Sequence, residues 1–414
     1  MSNEKKLQIK NDLQIIIKEP ENCLDFYPFS VMHCIWEIRC GALRNIDKIR
    51  AIFPQQNIAF QGREKHIASF LQRENSTFTN KIAKNIPSLI IFANVIFDLN
   101  FAKQIFDFIN NSENQNLIFV DDSGKKIGFY INFDFENFAE NDLNNFTIVS
   151  LPTVKQINYL WEALDFQAEQ INSDVKLMQN VSSVQNATIF ANAIFINAKN
   201  IFLGKNVVIE ANTILDATNG AIVIDDNAKI MYNSVIIGSC YIGKNSIVKI
   251  GAKIYENCSF GESCKIGGEL ECSTFHSFAN KQHDGFIGHS YICEWVNLGA
   301  GTNNSDLKNN YSKITIQLPH KAVKTARQFL GLMCGDHSKS AINSAFSSGT
   351  ILGVSSMFAN SGLSPKFIPS LKWCHSGDIS DYEMDKAIET AKIVMERRNK
   401  KLSNEEIELL RSGQ

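Results

Sequence analysis

Several signatures of common function classes are missing from this chain of 414 residues. Its 10 cysteines form no C-x-x-C pair and no zinc-ribbon spacing, so neither a structural zinc site nor a dithiol redox motif is written into the sequence. Neither sign of charge dominates: the formal net charge is −2, which argues against a broad electrostatic nucleic-acid footprint. The longest apolar run, around Ile86–Phe97, is far short of the ~20 residues a membrane span needs. The charged start MSNEKKLQIKND has no apolar signal-peptide core. Cys240, Cys258 and Cys264 recur in a slot that otherwise holds Ala or Ser. There the thiol serves as a compact hydrophobe, which suits a reducing compartment, and the expected location is cytoplasmic. The abundance of Asn, Lys, Ile and Phe reads as genome composition.

What is present is a repeat. Ile224, Ile230, Ile236, Ile242, Val248, Ile254, Phe260 and Ile266 lie six apart, and Ala228, Ser234, Cys240, Ser246, Ala252, Cys258 and Cys264 each follow four residues after an apolar position. A period of six fits neither a helix nor a strand, and it predicts a hexapeptide coil of short parallel strands. One apolar residue per flat face points inward, and the small residue sits at a tight corner. The pattern begins loosely from Asn186 and breaks after Ile266. It resumes at Phe286, Ile292 and Leu298, shifted by two. The interruption, 267–285, is expected to leave the coil as a loop, and such loops often carry function.

The expected fold is an α/β domain followed by a left-handed parallel β-helix and a helical tail. The boundaries are 1–165 for the α/β domain, 166–185 for a linker helix, 186–375 for the β-helix and 376–414 for the tail. In the first domain, Leu13–Ile17 and Ser88–Val95 read as buried strands and Ala102–Asn110 as a helix. Leu117–Val120 and Lys126–Ile131 read as a hairpin about an Asp/Ser/Gly turn. In the tail, Ser380–Glu383 and Ser403–Glu406 fit capping boxes before apolar helical faces.

The segments Asn280–His289 and Trp295–Thr302 (WVNLGAGT) carry the chemistry. They resemble the acetyltransferase half of the bifunctional glucosamine-1-phosphate acetyltransferase / N-acetylglucosamine-1-phosphate uridyltransferase family. That family has K-A-G-H-x-x-Y-x-G, then V-N-x-G-A-G-T at a fixed distance, then an N-Y pair. The strings GDHSK at Gly335–Lys339 and PKFIP at Pro365–Pro369 resemble a divergent, sugar-nucleotidyltransferase-like branch of it. The resemblance is specific over about 220–375 and much weaker before 180.

The resemblance places the general base on His283, which would take a proton from a sugar amine attacking an acetyl thioester. Counting without gaps places the carboxylate that orients this base on Glu269. Asn297, with Asn310, Tyr311 and Lys313, falls on substrate-binding positions. Ala300, between Gly299 and Gly301, falls where acetyl-CoA lies against the backbone. The family's sites lie at subunit junctions, so a homotrimer is implied. Two positions depart from the pattern: Phe286 stands for a phosphate-contacting tyrosine and Glu271 for a phosphate-binding lysine. His276 and His289 have no counterpart in the motif and read as structural. Asn297 could equally ladder with asparagines of neighbouring coils.

The N-terminal region lacks the Gly-rich phosphate loop of a working uridyltransferase. The branch's T-R-P element reads Met32-His33-Cys34, without its arginine. Arg39 and Lys48 remain as candidate nucleotide or phosphate contacts, though helical basic residues are by default solvated. Asn94 stands where the family has a metal-binding Asp, removing a charge that would hold Mg²⁺. The expectation is weak or absent nucleotidyl transfer, with Mg²⁺ needed only if that activity is retained. No metal ligands are assigned.

The leading expectation is an acetyl-CoA-dependent N-acyltransferase acting on an amino sugar phosphate or sugar nucleotide, in cell-envelope precursor metabolism. Alternatives are a sugar-1-phosphate nucleotidyltransferase with an atypical phosphate site and a non-enzymatic sugar-nucleotide-binding scaffold. A zinc hydratase using His276, His283 and His289 is a further one.

Overall fold

The computed structural model describes residues 13–75, 78, 80–112, 115–133, 143, 145–178, 181, 187–360 and 362–412. They form two compact units: Met1–Cys23 with His33–Ile38 and Arg44–Asn158, and Leu24–Met32 with Arg39–Leu43 and Tyr159–Gln414.

The first unit is built on a six-stranded mixed sheet. Gln14–Lys18 lies parallel to Ile58–Gln61 and Ser88–Phe92, and Lys126–Ile131 runs antiparallel to Ser88–Phe92 and Leu117–Val120. Ile16, Ile90, Ile118, Phe129 and Ile131 form one core face. The expected hairpin is present, its turn closed by the Asp121 carboxylate accepting from the Ser123 and Lys125 amides. The expected strand at Ser88 stops at Phe92, because the chain turns at Ala93–Asn94. The following helix starts earlier than expected, at Leu99, where Asp98 caps it by accepting from the Phe101 amide at 2.9 Å.

The second unit contains the expected parallel β-helix. One face pairs Thr188–Ile189, Val208–Ile209, Lys229–Ile230, Ile247–Val248, Lys265–Ile266 and Asn280–Lys281 in order. A second runs from Ile194–Ile196 through Lys253–Ile254 and Glu269–Glu271 to Phe286–Gly288. The third, with nine strands, runs from Ile201–Leu203 to Phe367–Ile368. All eight hexad residues from Ile224 to Ile266 point inward and are at most 2% exposed. Complete burial of such a side chain is worth about 1.5–3 kcal/mol, so each coil adds a few kcal/mol to a common core.

Asparagines hold the corners. Asn206, Asn227 and Asn245 on one edge, and Asn212 and Asn233 on another, have φ between 56° and 59°. Asn is among the few residues that enter the left-handed region cheaply. At these positions its abundance has a conformational cause, not only the compositional one expected from the sequence.

The phase break after Ile266 is not a loop leaving the coil. Glu269–Glu271, Thr274–Phe275 and Asn280–Lys281 continue the three faces in register. Two corners change: the one after Glu271 loses one residue, since Ile254 pairs with Leu270 and Phe260 with Phe275, and the one after Ile266 loses two. Ile247 stacks on Lys265 and Lys253 on Glu269, so a spacing of six in one coil becomes four in the next. The missing two residues are taken from the corner, now closed by Gly267 and Gly268. The inward series continues as Leu270, Phe275, Lys281, Ile287 and Ile292. Phe286 instead pairs with Glu269 on the outward side of its strand. The real excursion is 305–330, which carries an antiparallel hairpin of Thr315–Gln317 and Ala322–Lys324.

Ser380 and Asp381 belong to a strand, Asp378–Asp381, and the helix after them starts at Met384. The expected capping box at Ser380 is therefore not formed. The one at Ser403 is: its hydroxyl accepts from the Glu406 amide at 3.1 Å, and Glu406 accepts from the Ser403 amide at 2.9 Å. No helix among the described residues is long and apolar enough to cross a membrane.

Candidate functional site

Following the coil from its first face to its second, the chain turns an edge at Gln282–Gly285. His283 sits on that turn with its side chain exposed. The next coil turns the same edge at Gly299–Gly301, and the two corners are joined by the Gly301 amide donating to the Asp284 carbonyl at 2.9 Å. Two glycines make this contact feasible. Gly301 has φ +69°, and a Cβ on Gly285 would lie 2.2 Å from the Thr302 carbonyl oxygen. Ala300 lies between Gly299 and Gly301, so the fold brings His283 together with the three residues expected to line the acyl donor.

Glu269 opens the strand that follows the shortened corner, and its amide donates to the Gly285 carbonyl at 3.1 Å. Its carboxylate is half-exposed, with Lys253 at 3.9 Å. Among the described residues no hydrogen bond or ion pair joins it to the His283 ring. Asn297 lies on the first face between Asn280 and Lys339, one strand before the Gly299 corner. Its neighbour Asn280 accepts a hydrogen bond from Arg398 at 3.2 Å.

Lys281 is the unexpected element here. It stacks on Ile266 at an inward position and is fully buried. Its amine donates to the His283 carbonyl and, at 2.8 Å, to that of Asp284. With the corner beneath shortened to Gly267–Gly268, the ammonium supplies donors from inside the coil. Burial, opposed in part by Asp284, holds its pKa down at about 8.

Asn310, Tyr311 and Lys313 lie elsewhere. They are exposed on the excursion that leaves the next edge, between second and third faces, and the structure does not bring them to His283. His289 occupies that edge too, its Nδ1 2.8 Å from Asp306. His276 is buried on the third face, its Nε2 2.7 Å from the Tyr291 hydroxyl. The three histidines of the hydratase alternative thus sit at separate places in the coil. Among the described residues no group of three or more His, Cys, Asp or Glu side chains could hold a metal ion.

Neither basic N-terminal candidate is solvated. Arg39 is 7% exposed, its guanidinium over the Tyr241 ring and its backbone amide donating to the Tyr291 hydroxyl at 3.0 Å. Lys48 is fully buried in the helix Asn45–Ile52. Asn94, at the position of the family's metal-binding Asp, is also buried, and its Nδ2 donates to the Ile157 carbonyl at 2.7 Å. In the segment standing for the phosphate loop, the Ile35 amide donates to Glu19 at 3.1 Å and the Cys34 amide to Glu37 at 2.9 Å. Arg63 and Arg73 neutralise these two carboxylates. Amides that could face a phosphate are occupied by acidic side chains.

Residues 15–183 match the family model described as sugar nucleotidyl transferase. The match falls where the motif resemblance is weakest. A bifunctional sugar-1-phosphate nucleotidylyltransferase/acetyltransferase of Sulfurisphaera tokodaii is 29% identical over 140 residues, 32% of this chain and 34% of that protein. Bifunctional protein GlmU of a Picosynechococcus species is 29% identical over 124 residues, 30% of this chain and 23% of that protein. The chain thus spans about a third or less of the length of these curated relatives. Among solved structures, a UDP-N-acetylglucosamine acyltransferase of Francisella novicida aligns with 54% of this chain and 75% of its own. Its TM-score is 0.22 and its identity 15%.

Proposed function

We propose that this chain is an acyltransferase that moves an acetyl group from acetyl-CoA to the amine of a sugar phosphate or sugar nucleotide. The observation that carries the reading is the stacking of the His283 corner directly against Gly299–Gly301. An exposed imidazole there adjoins a backbone surface without bulky side chains, where a thioester can lie close. The His283 ring takes the amine proton as nitrogen attacks the thioester carbonyl, and the leaving thiolate recovers a proton. Glu269 and Asn297 flank the corner on the adjoining strands. Phe286 and Glu271 face outward on the second face. Neither favours a phosphate there, so the acceptor's phosphate, if it has one, lies away from this face.

The second face also supports the homotrimer reading. The third face is covered by the chain's own Ala42, Leu43 and Ile171 against Val223 and Tyr241. On the second face Ile194 and Ile196, at the end of the sheet far from His283, are 51% and 42% exposed, and a second copy packed there would bury them.

Nucleotidyl transfer is the second reading, favoured by the similarity of residues 15–183 to the sugar nucleotidyl transferase family model. Asn94 and the amide-bound Glu19 and Glu37 weigh against it. A thermal-shift screen of acetyl-CoA, UTP with Mg²⁺, UDP-sugars and sugar phosphates separates the two, because a ligand of the native state raises the midpoint. Stabilisation by acetyl-CoA, with thiol release on adding an amino sugar phosphate or nucleotide, supports acyl transfer. Pyrophosphate release from UTP and a sugar-1-phosphate, with no response to acetyl-CoA, overturns it.

A further inference from the structure

On the edge between second and third faces, four successive coils stack Asn257, Cys272, His289 and Asp306. The register is set by Glu271 pairing with Gly288 and by the His289 amide donating to the Glu271 carbonyl at 3.1 Å. Asn257, Cys272 and His289 share left-handed backbone, with φ of 60°, 44° and 45°, so their side chains leave the edge alike. The Asn257 amide donates to the Cys272 sulfur at 3.6 Å, and Asp306 holds the His289 ring at 2.8 Å. Phe329 stacks on the same ring at 5.3 Å.

Cys272 differs from the rest of the cysteines, all of which are buried: it is only partly buried. Burial disfavours a charged His289, but hydrogen bonding and charge from Asp306 and Cys272 outweigh it and raise the ring's pKa to about 10. Glu256 and Glu271 are the other charged groups near this edge. A thiol beside an imidazole that a carboxylate orients is the arrangement of an activated nucleophile.

We propose that Cys272, His289 and Asp306 form a second reactive centre, in which Cys272 accepts an acyl group from a thioester. The choice of thioester rests on the acyl-transfer reading; the thiol's activation does not. Beside the charged His289 ring Cys272 gives its proton to solvent, the thiolate attacks the thioester carbonyl, and the carbon–sulfur bond to the donor breaks. The departing thiolate takes a proton from solvent, leaving acyl-Cys272 and a free thiol. The imidazolium pairs with the thiolate, and Asp306 keeps the ring oriented.

The test is intact-mass analysis of the full chain incubated with acetyl-CoA, with peptide mapping of any adduct. The expected result is one hydroxylamine-labile acetyl group on Cys272, absent from Cys272→Ser and formed at least about tenfold more slowly in His289→Asn. Should His289→Asn fold poorly, alkylation of the unmutated protein by iodoacetamide across pH gives the same information. Alkylation at Cys272 that stays rapid well below the ~8.5 of a free thiol supports the centre. Alkylation following that ordinary titration overturns it. Absence of any acetyl adduct while His283-dependent transfer proceeds also overturns it and leaves the acyl-transfer reading intact. An adduct without transfer to any amine supports the centre and ends that reading instead.

Discussion

Replacing Lys281 by methionine separates the part it plays in the His283 corner from simple core packing. The amine donates to two carbonyls, of His283 and Asp284. The Asp284 oxygen keeps the Gly301 amide at 2.9 Å, so the substitution orphans only the His283 carbonyl. An orphaned buried acceptor costs about 1–3 kcal/mol, offset by the apolar side chain that replaces a desolvated ammonium. Near neutral pH the net change in stability is therefore small. With rising pH it is not. The folded-state pKa is lowered from 10.5 to about 8, so between those values the unfolded chain binds more protons than the folded one. Stability then rises with pH across that window. The full shift corresponds to about 3 kcal/mol. Urea denaturation of both proteins, followed by tryptophan fluorescence at a series of pH values, measures this directly. The advantage of the unmutated protein over Lys281→Met is expected to grow by about 2–3 kcal/mol from about pH 7 to pH 10. A difference that stays flat across that range refutes the account of Lys281 as a buried, charge-strained tether.

Further outcomes follow from other parts of the chain. Ile236→Ala, at a fully buried inward position, should destabilise the β-helix by about 2–5 kcal/mol in denaturant titrations; a loss under about 1 kcal/mol would contradict the inward assignment. Asn94→Asp should not create nucleotidyl transfer, since it sets a carboxylate against the Ile157 carbonyl; UTP-dependent pyrophosphate release by this variant would show that assignment to be wrong. Arg73 and His33 hold the buried Glu37 carboxyl well below the usual carboxylate range, against the opposing effect of burial. This stabilisation is present above about pH 4.5 and is lost as the pH falls. Glu37→Gln should lower neutral-pH stability by about 1.5–3 kcal/mol and flatten its acid dependence. Unchanged acid midpoints would remove Glu37 from the ion-pair account.

The β-helix is legible in the sequence because a single chemical requirement, one inward apolar residue per face, repeats at every sixth position. The hairpin and the Ser403 capping box are legible for a similar reason: each is decided within a few residues. The shortened corner shows along the chain as a phase slip, which reads as a loop. A deletion within one coil and an insertion between coils shift the phase alike, and only the register of Lys265 and Glu269 on their neighbours tells them apart. The same ambiguity sets Phe286 inward, where Ile287 belongs. His283 and the Gly299–Gly301 motif can be found along the chain because both carry local patterns. Lys281 cannot, since nothing in the sequence says which way its side chain turns. Cys272, His289 and Asp306 become neighbours only when three coils stack, a relation with no linear signature. The occupied amides at Cys34 and Ile35 are hidden likewise, because Glu19 reaches Ile35 only through the fold.

The central claim is that acyl transfer takes place on the edge formed by His283 and Gly299–Gly301. Single-turnover formation of the N-acetylated sugar from acetyl-CoA and the amino-sugar acceptor, compared between the unmutated protein and His283→Ala, tests it most directly. General-base removal should slow product formation by about 10²-fold or more while acetyl-CoA binding persists. Unchanged product formation by His283→Ala would contradict the account and move the chemistry to another part of the molecule.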